Sequence, residues 1–142
     1  MKRFNIRVYG ICINEDQEIL LSDESFRGHD FTKFPGGGLE WGEGTRECLI
    51  REFQEEFELD IEVGELFYLT DFFQASAFSE VDQVISVYYH IQLPENATHH
   101  DRKGDKGELL HWVKLHEFHE DVLTFPIDRH VAKLIREKYH LI

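Results

Sequence analysis

The order of strand-like and helix-like runs predicts a mixed α/β (α+β) domain. Three observations carry the prediction. Runs rich in β-branched and aromatic residues open the chain and recur in its second half. A helical stretch with one apolar face follows a glycine triplet. A second run, with apolar residues at helical spacing, closes the chain. The resulting order, β-β-α-β-β-β-α, implies helices packed on a mixed sheet within one domain, 1–142.

Phe4 to Ile13 reads as the first strand. Asn14 to Gln17 is a turn, and Glu18 to Leu21 is the return strand of a hairpin. Ser22 to Asp30 is polar and reads as a loop ending in a short extended piece, Phe31 to Phe34. Pro35-Gly36-Gly37-Gly38 is expected to stop any regular element. Gly44-Thr45 starts a helix that runs to Phe57. Ile61 to Phe73 holds one or two strands, Val84 to Leu93 reads as a central strand, and Leu109 to Leu115 is a further strand. Between them, Asn96 to Gly107 is a polar loop. Asp128 to Tyr139 is the closing helix, with Val131, Leu134, Ile135 and Tyr139 on its apolar face.

Composition narrows the function classes. Charged residues make up 30% and hydrophobic ones 42% of 142 residues, the balance of a soluble globular protein. No apolar run reaches the length of a membrane span, and the N-terminus lacks the features of a signal peptide, so a cytoplasmic location is expected. Cys12 and Cys48 make neither a disulfide framework nor a zinc site and read as buried small residues. The net charge of −13 repels nucleic acid polymers and anionic membranes. An acidic protein that handled phosphates would need cations between itself and its substrate.

The helix after the glycines brings three carboxylates together. At 100° per residue, Glu52, Glu55 and Glu56 share one arc, and Leu49, Ile50, Phe53 and Phe57 lie opposite, facing a core. Like charges at i, i+3 and i+4 repel by a few tenths of a kcal/mol per pair. Bound cations would relieve that repulsion; a solvated acidic face is the plainer alternative. Carboxylate oxygens suit Mg²⁺ or Mn²⁺, and no Cys or His accompanies them. The glycines tip the balance toward a site, because they let the backbone approach a ligand and offer a carbonyl.

The segment Gly37 to Leu59 resembles the Nudix box: Gly, five residues, Glu, seven residues, Arg-Glu, an apolar residue, any residue, Glu-Glu, any residue, Gly, apolar. Gly37, Glu43, Arg51, Glu52, Phe53, Glu55, Glu56 and Leu59 occupy those positions in register. Glu58 departs from the pattern, standing where the family has glycine. That glycine normally ends the helix in a left-handed conformation, so the helix end is the feature placed in question.

The resemblance implies an α/β/α sandwich around a mixed sheet and a metal-dependent hydrolase. Its reaction is cleavage of a diphosphate bond in a nucleoside diphosphate derivative or nucleoside triphosphate. It implies Mg²⁺ (or Mn²⁺) held by Glu52, Glu55 and Glu56, with the carbonyl of Gly36 added. Arg51 pairs with a carboxylate, Glu43 being the box partner, and orients it. The general base is Glu52 or a residue outside the box. Glu108 leads there, with His111 as an alternative and Glu80 and Asp82 behind. Arg27 and Lys33, with Gly37 and Gly38, are the candidates for contacting substrate phosphates. Phe31, Phe72, Phe73 and Phe78 could stack on a base but read first as core. His116-Glu117-Phe118-His119 is one residue short of HExxH, and His99-His100-Asp101 is at most a weak metal site.

The expected partner is a small nucleotide-like molecule, with no nucleic acid polymer and no membrane; a homodimer stays open. The competing class is a catalytically inactive Nudix-like nucleotide-sensing or regulatory module. Such a descendant would be expected to lose one of the three helix carboxylates, and all three are present. Gln74 to Ala77 fill the window where ADP-ribose and dinucleoside polyphosphate subgroups carry markers, so neither subgroup is indicated.

Overall fold

In a computed structural model, residues 1–140 of the chain are described; the expected domain, 1–142, ends two residues beyond them. Strands β1 (Arg3–Ile11), β4 (Gly36–Gly38), β5 (Glu62–Leu69) and β6 (Asp82–Gln92) form one sheet in the order β4-β1-β6-β5. β1 runs parallel to β6 and antiparallel to β4, so this sheet is mixed. Strands β2 (Glu18–Phe26), β3 (His29–Lys33), β7 (Arg102–Lys103) and β8 (Leu109–Lys114) form a second, antiparallel sheet in the order β3-β2-β8-β7.

Alternation along the strands assigns each side chain to a layer. Val8, Val87, Tyr89 and Ile91 join helix α1 (Thr45–Phe57) in one core. Their neighbours Tyr9, Ile11 and Tyr88 join helix α2 (Pro126–Lys138) in the other. The mixed sheet therefore lies between two helices, and the α/β/α sandwich is present. α1 inserts Leu49, Phe53 and Phe57, all almost wholly buried, each worth roughly 1.5–3 kcal/mol. Ile50, expected on that face, is 43% exposed; Cys48 takes the inward position instead. Both cysteines are buried, and burial pushes the Cys12 thiol up to about 11 and that of Cys48 to about 12.

Two segments differ from the sequence reading. Ser22 to Asp30 is not a loop: β2 continues to Phe26, and Arg27-Gly28 turn the chain, both at positive φ, into β3. Its polar residues misled because they serve partners across the sheet: Asp23 accepts from Thr32 at 2.7 Å, and Glu24 pairs with Lys33 at 3.0 Å. The glycine triplet, expected to break regular structure, is itself a strand. Gly36, Gly37 and Gly38 pair with Tyr9, Val8 and Arg7. α2 starts two residues before the expected Asp128, because Pro126 occupies the first turn, where its missing N–H costs nothing.

Glu58 resolves the question at the end of α1. It sits in the left-handed region at φ 54°, ψ 40°, and its N–H returns to the carbonyl of Gln54 at 3.1 Å. Glu58 thus adopts the conformation the family's glycine would supply, at a cost of about 1 kcal/mol. Glu58→Gly is expected to raise stability by about that amount and to leave kcat within a few-fold. A thermal melt checks it; a lower melting temperature would contradict the strain.

Candidate active site

α1 and β4 meet at an open cavity of about 280 Å³. Gly44 caps the start of α1, and the Glu47 carboxylate accepts its N–H at 3.0 Å, satisfying a backbone donor at the helix start. The helix then directs Glu52, Glu55 and Glu56 into the cavity, with Gly36, Gly37 and Gly38 on the facing wall. The approach is close: a β-carbon on Gly37 would fall 2.3 Å from the carboxylate carbon of Glu52. Only a residue without a side chain leaves Glu52 its place.

Arg51 organises the rim. Its Nε and Nη2 donate to the two oxygens of Glu43 at 2.9 and 2.8 Å, a forked pair. Nη2 also donates to the carbonyl of Gly38, and Nη1 reaches Glu52 at 3.2 Å and Glu55 at 3.0 Å. The forked bond to Arg51 is the main reason the Glu43 carboxyl falls to about 2. The same bond to Glu43, with the charges of Glu52, Glu43 and Glu40, raises the pKa of Arg51 in turn.

Glu56 lies deeper than Glu55 and, among the described residues, makes no ion pair. Burial drives its pKa to about 8; the Lys33 ammonium offsets part of this, and the charges of Glu24, Glu52 and Glu108 add to it. Glu108 does not line the cavity but is buried beside Glu56. The loop between β7 and β8 holds it there. The Lys106 N–H donates to Glu108 Oε1 at 2.8 Å, and the Asp105 N–H donates to the Glu56 carbonyl at 2.9 Å.

The two cations expected at the substrate stand elsewhere. Lys33 is buried; its Nζ pairs with Glu24 and donates to the carbonyls of Phe34 and Gly36 at 3.3 and 3.1 Å. It braces the glycine strand from behind. Arg27 sits on the β2–β3 turn with its guanidinium over the Phe26 ring, away from the cavity. Sequence reasoning missed Arg7, Glu24, Asp105 and Lys106, which all line the cavity. Arg7 alone carried a local signal, a charge inside an apolar strand.

The remaining candidates are also placed. His111 pairs with Asp23 at 3.0 Å, Asp82 pairs with Arg3 at 2.9 Å, and Glu80 is exposed. His99 lies between Glu15 and Asp16, at 3.0 Å from each. His116 and His119 each pair with neighbouring acids on short turns. The core reading of the aromatic residues is corrected: Phe72, Phe73 and Phe78 are exposed, because they stand on the segment after β5 rather than under a sheet. Phe31 is partly buried in a surface cluster with Phe78 and Phe125.

The donor set suits a hard divalent cation. Carboxylates of Glu52, Glu55 and Glu56 and the backbone of the glycine strand line the cavity, and a cation would stabilise the ionised form of half-buried Glu56. Among the described residues, no three acidic, His or Cys side chains are already gathered at coordinating distance. Arg51 holds Glu52 and Glu55, so a cation would have to draw them inward.

A sequence profile described as the NUDIX domain matches residues 3–136. The chain is 28% identical over 138 residues to the 8-oxo-dGTP diphosphatase of Escherichia coli (strain K12), covering 96% of this chain and 99% of that protein. Among solved structures, it is similar to the MutT protein from Methanosarcina mazei Go1, with a TM-score of 0.76 and 22% identity over 97% of this chain and 96% of that one. The E. coli ORF135 protein has a TM-score of 0.74 and 19% identity, over 96% and 91% of the two chains. At these identities the solved structures speak for the fold, and the profile speaks for the family. The profile spans nearly the whole chain, and the chain therefore belongs to the NUDIX domain family, as a Nudix pyrophosphohydrolase.

Proposed function

We propose that the protein hydrolyses a diphosphate bond in a nucleoside triphosphate or nucleoside diphosphate derivative with Mg²⁺ or Mn²⁺ bound at the α1 carboxylates. The observation that carries this reading is the half-buried Glu56, without an ion pair among the described residues, lining one cavity with Glu52, Glu55 and the glycine strand. Glu56 would be the central ligand, with Glu52, Glu55 and the Gly36 carbonyl completing the set. Bound there, divalent ions neutralise phosphate charge and make water a better nucleophile.

The chain's own groups do the rest. Glu52 lines the cavity and can accept the proton of the attacking water, whereas Glu108 sits behind Glu56 and sustains its negative field. Arg51 holds Glu52 and Glu55 in register with Glu43. The backbone of Gly37 and Gly38 supplies a flat wall against which phosphates can lie. Retention of all three carboxylates in one cavity favours an enzyme over a sensing module. The reading includes a single domain acting in the cytoplasm on a small molecule, without nucleic acid polymer or membrane. Among the described residues, no helix is long and apolar enough to cross a membrane.

The 8-oxo-dGTP diphosphatase relative makes nucleoside triphosphates, oxidised ones included, the first substrates to try. A panel of nucleoside triphosphates and nucleotide sugars with Mg²⁺, scored by pyrophosphate or phosphate release, tests the proposal. Turnover is expected with Mg²⁺, its loss with EDTA, and its return with excess Mg²⁺. Undiminished turnover in metal-free buffer would sink the metal assignment; no turnover on any member would favour the sensing module.

A further inference from the structure

We propose that Arg7 is a substrate-binding residue whose free guanidinium edge receives a phosphoryl group in the active-site cavity. The inference rests on the hydrolase reading above only for the identity of the ligand class; its basis is the arginine's own surroundings.

Arg7 projects from β1 beside the glycine strand, where it pairs with Gly38. Its Nε donates to the Tyr9 hydroxyl at 2.6 Å, and Tyr9 is itself buried. Nη1 lies against Gly38, 3.4 Å from where a β-carbon on that residue would stand. The side chain is therefore held from one edge by a buried partner, and the rest of the guanidinium faces the cavity.

Two cations that line the cavity, Arg7 and Lys106, make no ion pair among the described residues although carboxylates abound there; Lys106 is exposed, whereas Arg7 is half-buried and fixed in place by Tyr9. Glu24, Glu52, Glu55, Glu56 and Asp105 line the same cavity. Arg51 pairs with Glu40, Glu43, Glu52 and Glu55, and Lys33 pairs with Glu24. Among the described residues, Arg7 has no ion pair, and neither Nη makes a hydrogen bond. An arginine anchored on a hydroxyl rather than a carboxylate keeps its fork for a ligand. Phosphate matches that fork in charge and in geometry, and forked bonds of this kind are among the stronger hydrogen bonds. Tyr9 raises the Arg7 pKa, and the charges of Glu52 and Glu24 add to this, so the fork stays charged throughout the working range. The alternative, a general counter-charge that keeps the carboxylates in place, makes a different prediction about metal binding.

Titration calorimetry separates the two. Inorganic pyrophosphate with Mg²⁺, and Mn²⁺ alone, are each titrated into the wild type, Arg7→Gln and Arg7→Lys. Arg7→Gln is expected to weaken pyrophosphate binding at least ~10-fold, the loss of a forked charged contact. Arg7→Lys should fall between, because an ammonium cannot fork. Mn²⁺ affinity should hold or tighten, since a neighbouring positive charge has gone. If Arg7→Gln fails to fold, the lysine variant carries the test. Pyrophosphate binding that is within two-fold of wild type in both folded variants, or in the lysine variant alone if only it folds, overturns the assignment. So does an equal loss of Mn²⁺ affinity, or a wild type that does not bind pyrophosphate. Turnover is scored separately: a wild type that binds pyrophosphate through Arg7 but cleaves nothing would sink the hydrolase reading and leave Arg7 in its role.

Discussion

Glu56→Gln is expected to lower kcat by at least ~10²-fold, the scale set by losing metal-derived stabilisation of the transition state. The substitution keeps the shape of the side chain and removes the charge. Glu56 is the carboxylate for which that charge matters most, because partial burial and three neighbouring acids oppose its ionisation and Lys33 offsets only part of this. Glu52 and Glu55, by contrast, already share Arg51. Without metal, the ionised Glu56 is disfavoured where it stands, so the variant should melt at the wild-type temperature or above. Steady-state kinetics at saturating Mg²⁺, beside a metal-free melt, read both halves. Near-normal turnover would show that Glu56 is not a principal ligand; a collapsed melt would show that its role is structural.

The parts of the site legible in the sequence are those built from one stretch of chain. Glu52, Glu55 and Glu56 share a helix face by periodicity alone, and the Glu43–Arg51 pair spans only eight residues. The left-handed Glu58 could also be posed as a question from a single position of the box. Arg7, a charge inside an apolar strand, and Glu24 could not be placed at the site from sequence, because they lie on strands of different sheets and reach the cavity only when the sheets pack. Glu24 was hidden further by the polarity of Ser22 to Phe26, which imitates a loop. That polarity reflects pairing with Lys33, Thr32 and His111 across the second sheet rather than exposure of a turn. Lys33 misled for the same reason. A lysine before a glycine loop suggests a phosphate contact, yet this one is enclosed behind Gly36 and spends its charge on Glu24.

Gly36 and Gly37 of β4 should separate fold from chemistry. At Gly36, φ is +148°, and an added β-carbon would stand 2.0 Å from the Val8 carbonyl oxygen and 2.8 Å from the Tyr9 Cα. Both obstacles are backbone, so Gly36→Ala must part β4 from β1. Strain and overpacking of ~1–3 kcal/mol each predict a loss of roughly 3–5 kcal/mol and a melting temperature lower by on the order of 10 °C. At Gly37 the obstacle is the carboxylate of Glu52, the mobile end of a side chain. Gly37→Ala should therefore fold and melt within a few degrees of the wild type. Its Glu52 is displaced from the cavity wall, and a displacement of about 1 Å is enough to cost ~10²-fold in rate. The pair of variants is read by thermal melts and steady-state kinetics. A Gly36→Ala protein as stable as the wild type would mean that β1 and β4 do not approach as described. A Gly37→Ala protein with full turnover would mean that Glu52 does not act from the position Gly37 leaves open for it.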